Sequence, residues 1–86
     1  MPTVSRFYGI VIQMYFADHG PPHFHAIYNE YKAVVGILDF SVLHGDLPPK
    51  ALALVMEWAR LHRVDLLRDW ELATQKKMPE PIAPLE

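Results

Sequence analysis

Two proline pairs, Pro21-Pro22 and Pro48-Pro49, set the outline of what this chain can fold into. Proline has no amide proton to give to a β ladder and breaks a helix interior, so each pair must lie between elements or at the start of one. Ahead of the first pair, residues 7–16 (FYGIVIQMYF) are aromatic and β-branched, and the alternate set Tyr8, Ile10, Ile12, Met14 and Phe16 is wholly apolar. That pattern predicts strand one, with this set toward the core. Asp18-His19-Gly20-Pro21-Pro22 has turn chemistry, so strand two should begin at or after His23 and cover about 23–28. Asn29-Glu30 is a two-residue connection suited to a hairpin leading to strand three over 31–37. A fourth strand is expected near 40–44, ending at Gly45-Asp46.

Pro48-Pro49 suits the first turn of a helix, where missing amide protons cost little, and Asp46 stands upstream as a capping candidate. The helix is expected over 49–62, with Ala51, Leu54, Val55, Trp58 and Leu61 on one stripe. A second helical pattern over 64–75 carries Leu66, Leu67, Trp70 and Ala73, with a bend near His62-Arg63-Val64. Strands followed by helices point to an α+β fold: a small antiparallel sheet of three to four strands, then one or two C-terminal helices packed on one face. Residues 1–77 make the single domain. Residues 78–86, with three prolines and no periodicity, form a proline-rich tail expected to be extended and available to lie on a partner or on the sheet.

With 86 residues the chain can build one core but buries only roughly 60 to 65% of its unfolded surface, so apolar area is left for a partner or a second copy. The absence of cysteine excludes disulfides, thiolate metal sites and a cysteine nucleophile, and no apolar run approaches the roughly 20 residues that span a bilayer. The expectation is a cytoplasmic protein with no membrane association. A formal charge of −2 disfavours a strongly basic nucleic-acid binder, although Arg6, Lys32 and the histidines could still make a local basic site.

The chemistry concentrates in Asp18-His19-Gly20-Pro21-Pro22-His23-Phe24-His25. His23 and His25 are two apart, so on a strand they share a face and Phe24 takes the other. Burying Phe24 should leave both imidazoles open to solvent, because a buried imidazole needs hydrogen-bond partners. Three readings compete. In the blandest, the histidines are solvated, or polar anchors of a protein interface. In the second they act as a general acid and base, with phosphodiester cleavage as the fitting reaction. Arg6 or Lys32 would then meet the developing negative charge, and Tyr8, Tyr15 or Tyr28 would stack on bases. In the third the pair ligates a metal, with Asp18, His19 or Glu30 completing the set. His62 reads as a helix C-terminal group, and Trp58 and Trp70 as core. No motif calls for a cofactor.

The segments Ser5-Arg6-Phe7-Tyr8-Gly9-Ile10, Asp18-His19, Pro21-Pro22-His23-Phe24-His25-Ala26, Glu57-Trp58-Ala59 and Trp70-Glu71-Leu72-Ala73 together resemble a family of small bacterial proteins known as a domain of unknown function. The resemblance runs nearly the whole length. It implies one half of a two-gene pair, of the kind predicted as type II toxin-antitoxin modules with a DhiT-like toxin. The family's hallmark positions fall on Arg6, Asp18, His19, Pro21, Pro22, His23, His25, Tyr28 and Glu30. The leading expectation is therefore a toxin-like component, a ribonuclease using His23, His25 and Arg6, with Tyr8, Tyr15, Asp18, His19, Tyr28 and Glu30 binding substrate. A small antitoxin-like protein, an RNA target and a second copy of the chain are the expected partners. A non-enzymatic binding module and a His-x-His metal-binding protein are the alternatives.

Overall fold

The structure, a computed structural model, describes residues 2–86. Strands β1 (Thr3–Phe7), β2 (Ile10–Gln13), β3 (His23–Tyr28), β4 (Tyr31–Gly36) and β5 (Val42–Asp46) pair antiparallel in chain order. Helices α1 (Pro49–Leu61) and α2 (Arg63–Thr74) follow. The α+β class holds, with one strand more than the hydrophobic pattern suggested.

The extra strand arises because residues 7–16 are not one strand. Tyr8 and Gly9 both have positive φ, 50° and 81°, and Phe7 pairs with Ile10 across them. Two central residues of positive φ match the right-handed twist of the flanking strands, which is why such two-residue turns join hairpins. Tyr8 is thereby lifted to the tip and stands 60% exposed, and Phe16, beyond the end of β2, is exposed as well. Of the alternate set expected in the core, Ile10, Ile12 and Met14 are buried.

One face of the sheet carries Ile10, Ile12, Phe24, Ala26, Ala33 and Val35, all buried, and meets Val55, Trp58 and Ala59 of α1 and Leu66 of α2. Trp58 is the hub: its ring lies 5.2 Å from Phe7 and 5.9 Å from Phe24, between centroids. Pro48 is the N-cap and Pro49 the first helical residue, with no side chain capping the free amides. Asp46 ends β5 instead. His62, at φ −120°, separates the two helices as the expected bend. No helix among the described residues is long and apolar enough to cross a membrane.

Residues 78–86 contain no helix or strand, yet they fold back on the domain. The Ile82 amide donates to the Val4 carbonyl at 2.7 Å, on the outer edge of β1. Trp58 Nε1 donates to the Ala83 carbonyl at 2.8 Å, and Ile82 is buried. The tail is anchored at its start by Asp69, a fully buried carboxyl whose Oδ1 accepts the Glu80 amide at 3.0 Å. Burial raises the Asp69 carboxyl above its ordinary value, against the Glu80 amide and Arg68, which favour the anion. A raised folded-state value means the folded chain holds this proton more tightly than the unfolded one, so stability falls as pH rises above the unfolded value of 3.8. Asp69→Asn removes that term. Comparing wild type with Asp69→Asn in urea, the stability difference should move in favour of the variant between pH 4 and pH 7; a pH-independent difference would show that Asp69 does not titrate in this way.

Candidate functional site

The sheet's second face, away from the helix-packed core, carries Gln13, His25, Val34 and His44 as one cross-strand row, since Gln13 pairs with His25, His25 with Val34, and Val34 with His44. His23 begins β3 immediately after the proline turn, and the turn returns Asp18 to it. His23 Nε2 lies 2.8 Å from Asp18 Oδ2, and His25 Nε2 lies 3.8 Å from the same oxygen. One ligand atom from each of Asp18, His23 and His25 falls within 4.8 Å of the others.

His23 uses both ring nitrogens. Nδ1 stands 2.8 Å from the Pro21 carbonyl, which can only accept, so Nδ1 carries a proton. Nε2 then faces a carboxylate oxygen, another acceptor, and a proton or a cation must sit between them. His25 is the opposite case: both of its ring nitrogens are buried with no hydrogen-bond partner, and Gln13 Oε1, on the residue directly across the ladder, is buried and unpartnered too. Buried polar groups left unpaired cost on the order of 1–3 kcal/mol each, so the three on these two paired residues mark a place that a polar guest would stabilise.

The histidines are not open to solvent, as the strand alternation suggested. His25 is 8% exposed. The Tyr15 ring stacks on it at 4.0 Å and 12°, and Trp70 of α2 lies 4.9 Å from His23. Burial, then the nearby His23 and Lys32 charges, hold the His25 imidazole below its ordinary value, with Asp18 opposing. Burial acts to raise the Asp18 carboxyl, but the His19 amide and the two imidazoles outweigh it and hold Asp18 low. Asp18 thus presents an anionic oxygen and His25 a neutral imidazole, donor forms that metals take.

Of the residues singled out in the sequence, Asp18, His23, His25 and Tyr15 come together. His19 contributes its amide to Asp18 at 2.9 Å while the residue itself is exposed. Arg6 is exposed on β1, paired with Val11, two strands from β3 and one row along, about 12 Å from His25 by strand spacing. Tyr28 and Glu30 lie at the far end of β3, roughly 17 Å from His23 by strand rise. Tyr8 and Tyr28 line a different feature, a cavity of about 530 Å³ bounded by Pro48, Pro49 and Leu54 at the start of α1.

Residues 9–71 match the family described as Domain of unknown function (DUF4160). The chain belongs to that family. Comparison with curated proteins and with solved structures finds no match. The DUF4160 segment contains Tyr15, Asp18, His23, His25, Lys32 and Trp70, whereas Arg6 and the folded-back tail lie outside it. Two members of the DUF4160 site gave no sequence clue to their role: the Pro21 carbonyl, which fixes the His23 tautomer, and Gln13, placed opposite His25 by a register that only the hairpin reveals. Trp70 was legible as a core residue, but its second contact, with His23, depends on where α2 lies.

Proposed function

We propose that this DUF4160 domain is a metal-binding protein that works through Asp18, His23 and His25. The observation that carries the reading is the convergence of three ligand atoms on one point, with both nitrogens of His25 buried and otherwise unpartnered. Bonds of about 2.0–2.1 Å in a tetrahedral zinc site put donor atoms roughly 3.3 Å apart. The two separations from Asp18, 2.8 and 3.8 Å, bracket that value, and all three donor atoms lie within 4.8 Å of one another. Pro21 supplies the outer-shell acceptor that metal-bound histidines ordinarily have, freeing Nε2 for the ion. Two histidines and one carboxylate leave coordination positions open, as in catalytic rather than structural centres.

The same contacts favour ligation over proton transfer by a histidine pair. A general acid or base must offer one nitrogen to its substrate, whereas the Nε2 left to His23 is aimed at the Asp18 carboxylate, an arrangement suited to sharing an ion between them. The resemblance to toxin-like members of two-gene bacterial modules supplies the biological setting: the domain is the toxin-like half, and any cleavage of RNA runs through the metal rather than through paired imidazoles.

Purified chain should carry one zinc, or a comparable divalent ion, per molecule by elemental analysis, and His23→Ala should carry none. Expression of wild type alone should slow host growth, and the His23→Ala variant should not. Metal-free wild type after purification in zinc-supplemented medium would sink the metal reading; equal growth of both hosts would sink the toxin reading and leave the metal centre standing.

A further inference from the structure

Lys32 offers a cation beside this centre that no carboxylate neutralises among the described residues. It lies on β4 two residues before Val34, the cross-strand partner of His25, so Lys32 is the diagonal neighbour of His25 on the same sheet face. Asp46 stands directly across from it on β5, yet no ion pair of Lys32 is present among the described residues. Instead its Nζ donates to the Tyr15 hydroxyl at 2.7 Å and lies 5.2 Å from the centre of the Tyr15 ring. That ring is the one stacked on His25. Having accepted from Lys32, the phenol keeps its own proton to donate elsewhere.

Charge defines the ligand class. A divalent ion held by one carboxylate and two neutral imidazoles retains one positive charge, and the Lys32 ammonium adds a second at the site's edge. Two unmatched cationic centres with a hydroxyl donor between them suit an anion that bridges them. A carboxylate has two oxygens in one plane. A phosphoryl group has three or four, tetrahedrally arranged, enough to meet the metal, the ammonium and the phenol together.

We infer that the metal-loaded centre binds a phosphoryl group, one oxygen on the metal and the others on Lys32 and Tyr15. This rests on the metal reading above. Lys32 and Tyr15 are then specificity-determining residues of that site, and neither is a metal ligand. The phosphoryl group belongs either to free phosphate or to a nucleic-acid phosphodiester, whose two non-bridging oxygens would meet the metal and Lys32 and leave an ester oxygen, a weaker acceptor, for the Tyr15 hydroxyl.

The test uses the full chain loaded with one equivalent of zinc, cleared of free metal, and titrated calorimetrically with inorganic phosphate, a dinucleoside monophosphate and acetate. Metal content is measured before and after each titration. Wild type should bind phosphate or the dinucleotide at one site and acetate at least tenfold more weakly. Lys32→Met should weaken phosphoryl binding about tenfold or more, the loss of a charge-assisted bond, and Tyr15→Phe by about threefold, with metal content unchanged in both. In cobalt-loaded protein, phosphate should shift the visible absorption of wild type, reporting an oxygen on the ion. Preference for the inorganic ion identifies free phosphate as the source, and preference for the dinucleotide identifies a nucleic-acid backbone. With one metal per chain in place, absence of phosphoryl binding, equal affinity in Lys32→Met, or acetate binding as tight as phosphate overturns the inference and spares the metal centre. A wild-type chain that retains no metal overturns both.

Discussion

Zinc at a free concentration 100-fold above its dissociation constant should raise the melting temperature of the wild-type chain by roughly 10 to 20 °C, and His25→Ala should lose most of that rise. A ligand at that excess that binds only the folded state stabilises it by about 2.7 kcal/mol, and in a domain of this size each kcal/mol shifts the midpoint by roughly 4–8 °C. His25 is one of the three proposed ligands, so its loss should exceed the roughly 10- to 100-fold in affinity that changes in the outer shell cost. The metal-free variant should remain folded. Truncating His25 opens a small cavity, but it also removes two buried nitrogens that have no partner in the metal-free protein, and the two effects oppose each other. Asp18→Asn makes an independent check. It keeps the side-chain shape and the oxygen that accepts the His19 amide, yet removes the only anionic ligand, so its zinc-induced rise should also shrink. Equal rises in wild type and both variants, followed by differential scanning calorimetry, would show that zinc binds elsewhere.

Trp58→Ala is expected to remove a large share of the chain's stability at 25 °C, the largest loss of any single truncation in the core. Truncating a buried tryptophan costs about 3–5 kcal/mol. A chain of 86 residues has only roughly 4–13 kcal/mol to lose. Trp58 is fully buried between Phe7, Phe24 and His62, and its indole nitrogen also holds the Ala83 carbonyl. Trp58→Phe separates these roles. It retains most of the ring contact and gives up the hydrogen bond, so it should lose about 1–2 kcal/mol in urea denaturation and remain folded. If the phenylalanine variant were as unstable as the alanine one, the tether to the tail rather than ring burial would dominate.

These elements were legible in the sequence to different degrees. β3 was set by hard constraints: prolines on its N-terminal side, and Asn29, which adopts φ 53° in the turn to β4, on the other. The α1 boundary followed from Pro48-Pro49 for the same reason. The β1–β2 hairpin was hidden because Tyr8 sits at φ 50°, a conformation an aromatic side chain seldom takes, and Tyr8 also continued the apolar alternation of residues 7–16. The contiguous cluster Asp18, His23 and His25 could be read locally, since turn and strand join the three within eight residues. What closes over it could not. Tyr15, Trp70 and Gln13 reach the cluster through a register and a helix position that depend on the whole core, and Arg6 and Glu30 share its local sequence character without sharing its location.

The folded-back tail also bears on how the domain comes apart. Every ladder in the sheet joins strands that are neighbours in the chain, so each closes a short loop. The hydrogen bond from Ile82 to Val4 closes nearly the entire chain. Closure entropy grows with loop length, and a contact held by few bonds at the longest separation is the first to be given up. The Ile82 amide should therefore exchange with deuterium well before the amides shared by β3 and β4. Between those two limits the protein can open its β1 edge while the turn and strand that carry Asp18, His23 and His25 stay intact.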